Sequence, residues 1–201
     1  MPPTLDEFKE LLATRQVREI AEEVVIGGEA RNVSNEQLQF IQDAICAKFG
    51  LEKTDLTLHV VGSAKLGYSI VEKKGQESGF KPRYRPFQPG QSDVYIAVVS
   101  GKLFQILWNK LAIYSHKSWP FPWKSKRLGD YMLIGWLRPD HFPKISSPSK
   151  LASWSEVFHN LSSTHKLDYK KYRGGLYFSR QHLLRYHERA ILECKHLENN
   201  I

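Results

Sequence analysis

Residues 58–69, LHVVGSAKLGYS, constrain the fold more than any other stretch. A β-branched apolar run that stops at Gly62-Ser63 reads as a buried strand ending in a tight turn. Residues 91–100, QSDVYIAVVS, read as a second strand that opens on Ser92-Asp93 and alternates enough to bury at least one face. AKLGYSIV, after the first strand, has room for a short helical turn. Residues 73–91, KKGQESGFKPRYRPFQPGQ, are rich in Gly, Pro and cations and read as a long loop or flexible hairpin.

Helical patterns surround these strands. Leu5, Phe8, Leu11, Leu12 and Val17 are spaced for one amphipathic helix over 4–24. A second helix runs from the N-cap Ser34 to Gly50, with Leu38, Ile41, Ile45 and Phe49 on one face. SGKLFQILWNKLAIY predicts a helix capped by Ser100, and Pro120 and Pro122 forbid regular helix in HKSWPFPWKSKR. DYMLIGWL, residues 130–137, predicts a third strand, ended by RPDHFP. A helix entered through Pro148 and Ser149 follows, then GGLYFS as a short strand or tight turn, then a long helix capped by Ser179. This order predicts an α+β protein, α/β-like, with a small mixed sheet. Its divisions are N-terminal helices over 1–55, a core over 56–145 and a C-terminal helical region over 146–201, together one compact unit.

The charge is uneven. Residues 1–55 carry six Lys/Arg against eleven Asp/Glu, so the net charge of +8 comes wholly from the remainder. Such an excess suits phosphate-bearing partners, nucleotide or nucleic acid, and equally an ordinary basic surface. Two distant cysteines make neither a disulfide framework nor a metal cluster, and suit a reducing compartment. No signal-peptide pattern opens the chain and no apolar run approaches the roughly 20 residues a bilayer needs. The expectation is a cytoplasmic protein with no membrane partner. The eight histidines lack a zinc-pair spacing and read as structural or solvent-facing.

The Gly-Ser turn offers backbone N–H groups to a phosphate, Gly62 lets a ligand approach closely and the Ser63 hydroxyl can donate. Gly62, Ser63, Gly67, Ser69, Ser92 and Asp93 together resemble the DNA polymerase beta-like nucleotidyltransferase superfamily, which includes minimal antitoxin-like and antiphage-type members. The likeness covers about 45 residues closely. It implies a nucleotidyltransferase-type sheet, a nucleoside triphosphate substrate, and Mg2+ or Mn2+ held by carboxylates at i and i+2 of a strand, which share one face. It also implies phosphate contacts from Gly62, Ser63, Lys65, Ser69 and Ser92, with Asp93 as catalytic residue and metal ligand.

This chain departs from the pattern at Tyr95, a neutral phenol where the second carboxylate belongs. Asp130 and Asp140, either side of the expected third strand, and Glu72 and Glu77, near the Gly-Ser turn in sequence, are the acids that could replace it. Lys73, Lys74, Lys81, Arg83 and Arg85, interleaved with Tyr84 and Phe87, can follow a nucleic-acid backbone or form a solvated loop. Lys124, Lys126 and Arg127 beside Trp119, Phe121 and Trp123 offer a rim for a base or RNA strand, or cap the core. Three functions follow: a pseudoenzyme of nucleotidyltransferase fold that binds nucleotide, RNA or DNA, within a bacterial defence or toxin–antitoxin system; an active enzyme modifying RNA, protein or nucleotide; or a module contacting another protein.

Overall fold

The N-terminal segment is tied down by local capping before any tertiary packing is needed. In a computed structural model that describes residues 1–75, 79–117, 126–142, 150–168 and 170–199, α1 spans Leu5–Thr14. The Thr4 hydroxyl accepts from the Glu7 N–H while the Glu7 carboxylate accepts from Thr4 N. The single helix expected over 4–24 is broken instead. Arg15 and Gln16 are extended, and α2, Val17–Glu19, runs into a π-helical segment, Ile20–Ile26. The break lets Phe8 and Leu12 on one side, and Ile20, Ala21 and Val25 on the other, bury in one cluster. Helix α3, Asn35–Phe49, opens on a Ser34–Gln37 capping box and stops at Gly50 in the left-handed region, as the sequence predicts.

Strand β1, Thr57–Val61, leads through Gly62 into one helical turn, α4, Ser63–Leu66. A two-stranded hairpin follows, β2, Lys73–Gly75, with β3, Gly79–Lys81. Next come β4, Val94–Val99, and α5, Gly101–Lys117. Ser100 caps α5, accepting from Leu103 N–H and donating to the Asp55 carbonyl. Helix α6, Lys126–Leu133, strand β5, Trp136–Leu137, helix α7, Lys150–Ser162, strand β6, Tyr172–Tyr177, and helix α8, Arg180–Asn199, complete the described elements.

One further expectation is corrected here. Residues 130–137 are not one strand; the first half of the segment belongs to α6 and only Trp136 and Leu137 are extended, as β5. Leu128 is buried and Met132, one turn on, packs beside it, whereas Leu133 and Ile134 are exposed. That is a helical period, and Gly135 at φ 71° turns the chain into the two residues of β5. Of the two readings of GGLYFS, strand or tight turn, the strand holds: Gly174 to Tyr177 belong to β6, an interior strand. The sheet order is β1-β4-β6-β5, with β4 and β6 parallel and the other neighbours antiparallel. Glycines that look like turn residues are there for clearance: a Cβ at Gly174 would press into Phe158 and Trp154, and one at Gly175 would lie 2.8 Å from Trp136 Nε1.

The fold is therefore mixed α+β with a small mixed sheet. Val94, Ile96, Val98 and Leu176 bury against α3, α5 and α7. Ala97, Val99 and Tyr177 bury on the other face against α1, the π segment and α8. Residues 1–55 thus serve both faces, and the core is common to all three sequence divisions.

One buried base makes this packing sensitive to acid. His187 of α8 is buried and its Nε2 has no hydrogen-bond partner among the described residues. Burial, reinforced by His59, pushes its pKa down to about 4 from the usual 6.5. Tyr186 packs edge-on to its ring, and His59, whose Nδ1 lies 3.3 Å from the Ile26 carbonyl, is itself depressed by burial. The unfolded chain binds the proton more readily. The neutral ring therefore contributes stability in full above pH 6.5, and that stability is lost as pH falls towards 4, by up to about 1.4 kcal/mol per pH unit. Urea midpoints should fall through this window, and His187→Leu should flatten the fall. An unchanged profile in that variant would sink the assignment.

Candidate functional site

The antiparallel pairing of β1 and β4 sets Val61 opposite Tyr95, and the parallel pairing of β4 and β6 sets Tyr95 opposite Arg173. Directly opposed residues share a face, so Val61, Tyr95 and Arg173 form a row across three strands. Gly62 and Ser63 continue β1 past this row, while Ser92 and Asp93 precede β4. The two halves of the sequence motif therefore lie at one end of the sheet. Gly62 adopts φ 72°, ψ −150°, a conformation that suits glycine alone, and among the described residues, its two chain neighbours aside, no atom lies within 4 Å of where a Cβ would stand.

Asp93 is partly exposed, and both of its oxygens are engaged. Arg173 Nε lies 2.7 Å from Oδ2, Lys171 Nζ lies 3.6 Å from Oδ1, and the Tyr95 hydroxyl donates to Oδ2 at 3.5 Å. Burial raises the pKa of the Tyr95 phenol, with a further push from the Asp93 charge, while Arg173 and Arg138 act in the opposite direction. Arg138 follows β5 and lies over the Tyr131 and Trp136 rings at 5.1 and 5.2 Å. The edge thus carries a carboxylate engaged by two cations and one phenol.

The residues present do not fit the Mg2+ or Mn2+ that the resemblance implies. A divalent pair needs several carboxylates converging on one face. Here the i+2 position is a neutral phenol held above its ordinary pKa, and the neighbouring strand presents a guanidinium. Asp130 is exposed on α6 and is not part of a strand. Among the described residues no three His, Cys, Asp or Glu side chains gather around a common point.

Several residues read as ligand-binding have other work. Lys65 is buried, donates from Nζ to the Gly28 carbonyl and has its pKa lowered by burial to about 8. It fastens the loop after the π segment and does not face the turn. Ser92 accepts from Gln88 N–H, closing the turn before β4. Ser69 donates to the Val71 carbonyl and accepts from Arg85. At Gly67, φ 92°, a Cβ would meet the Arg31 side chain at 2.8 Å. Arg83 pairs with Glu198 at 3.0 Å and donates to the Cys194 carbonyl, while the Tyr84 hydroxyl donates to Glu198 at 2.6 Å. Burial, then hydrogen bonds with Cys194 and Glu198, raise the Tyr84 pKa. Arg83 and Tyr84 therefore pin the loop to α8. Lys81 and Phe80 are exposed beside them. Lys124, Glu77, Trp119, Phe121, Trp123, Pro148 and Ser149 lie outside the described residues, as do the side chains of Lys73, Lys74, Lys126, Arg127 and Asp140.

Sequence reasoning missed Lys171, Arg173 and Arg138. The only available signal was the cationic run ahead of GGLYFS, and that run acquires meaning only once β6 is seen to lie parallel to β4. Compared with family models, curated proteins and solved structures, the chain gives no match.

Proposed function

We propose that this chain binds nucleotide or nucleic acid through phosphates at the Gly62-Ser63/Asp93 end of a nucleotidyltransferase-type sheet whose metal site is degenerate, with nucleotidyl transfer weak or absent. The observation that carries the reading is Asp93: it immediately precedes β4 at the end of the sheet that holds the Gly-Ser turn, in keeping with the family pattern, yet is ion-paired to Arg173 and Lys171. The net charge of +8 and the open backbone at Gly62 support a phosphate-bearing partner. A place in a bacterial defence or toxin–antitoxin system accords with the resemblance.

The test is label transfer. Purified protein is incubated with each radiolabelled nucleoside triphosphate, Mg2+ or Mn2+ and total RNA, beside Asp93→Ala. The expected result is retention of nucleotide or RNA without covalent label, in both proteins. Label incorporated by the wild type and lost in Asp93→Ala would replace this reading with an active enzyme.

A further inference from the structure

The row of residues across the sheet says where the positive charge for a phosphate comes from. Arg173 stands on the strand beside Tyr95 with its side chain 46% exposed, and Lys171 is 63% exposed. Both can reach a ligand without unfolding anything. Arg138, just past β5, adds positive potential at the same Tyr95 phenol as Arg173. Two cations face one carboxylate, so the edge keeps a net positive charge after Asp93 is counted. A guanidinium that pairs with a carboxylate offers the same fork of N–H donors to a phosphate.

We propose that this edge is a metal-free phosphate site in which Arg173 and Lys171 take the place of divalent cations, and Asp93 is an internal counter-ion that an incoming phosphate displaces. The proposal rests on the phosphate-binding reading above and adds a role for Asp93 opposite to that of a metal ligand. In a metal site, removing this carboxylate removes the ion and with it the triphosphate. Here, removing it frees Arg173 and Lys171, so affinity rises.

Calorimetric titration with inorganic triphosphate in the presence of a chelator tests this. Wild-type protein should bind. Asp93→Asn, which keeps the side chain's shape, should bind roughly three- to tenfold more tightly, the scale of a partly exposed charge pair. Arg173→Gln and Lys171→Gln should each bind more weakly by a similar factor. Asp43→Asn removes the same charge from an ion pair with Lys53 on α3 and should change nothing, which separates the local effect from net charge. Weaker binding by Asp93→Asn, an equal gain in Asp43→Asn, or indifference to Arg173→Gln would each overturn the proposal. A parallel titration with ATP distinguishes the two levels. ATP bound only with Mg2+ would defeat the metal-free site and leave nucleotide binding standing. No binding of ATP or RNA, with or without Mg2+, would remove both.

Discussion

Replacing Gly174 by alanine should cost about 3 kcal/mol or more of folding stability, one of the largest losses a single methyl can cause in this chain. Gly174 lies in the interior strand β6, paired with Ile96 of β4. A Cβ there would fall inside van der Waals contact with the Phe158 ring and 2.8 Å from Trp154 Cζ2. Both rings are buried, and they pack on each other with centroids 5.1 Å apart. Neither can swing into solvent, so relief requires α7 to move off the sheet. For a chain of this length such a loss corresponds to a fall of about 6–12 °C in Tm. Thermal unfolding followed by circular dichroism measures it. A loss within about 0.5 kcal/mol, the ordinary surface range, would mean that α7 does not press on β6 as described.

The second large effect is a gain. Tyr95→Asp would create the missing i, i+2 carboxylate pair, but Arg173 faces position 95 across the β4–β6 pairing and would neutralise the new charge. The single substitution is therefore expected to leave divalent-cation affinity unchanged. Tyr95→Asp combined with Arg173→Ala removes that cation and should raise Mn2+ affinity by roughly tenfold or more, towards the millimolar values of sparsely liganded sites. A full gain from Tyr95→Asp alone would show that Arg173 is not what excludes the ion. No gain in the double variant, with the fold retained, would show that positions 93 and 95 do not converge.

The capped helices and the two strands around the Gly-Ser turn were legible because their signals are local. Ser34 with Gly50, Ser100, and the β-branched runs at 57–61 and 94–99 declare themselves without reference to the rest of the chain. Residues 130–137 misled because Leu133 and Ile134 are apolar yet exposed, which gave a helix the look of a buried strand. Strand β6 was obscured by Gly174 and Gly175, whose small size serves the Trp154, Phe158 and Trp136 rings and mimics a turn. At the site, Asp93 and Tyr95 could be placed on one face by strand period alone. Lys171 and Arg173 could not, since their meeting with Asp93 depends on a parallel pairing across about 75 residues of chain, and no local pattern encodes it.

The central claim is that protein cations, and not metal ions, balance charge at the Asp93 edge. Calorimetric titration of the wild-type protein with Mn2+, beside Asp93→Ala, tests it most directly. No saturable binding that depends on Asp93 is expected. Saturable binding of Mn2+ lost in Asp93→Ala would contradict it, and would return Asp93 to the role of a metal ligand.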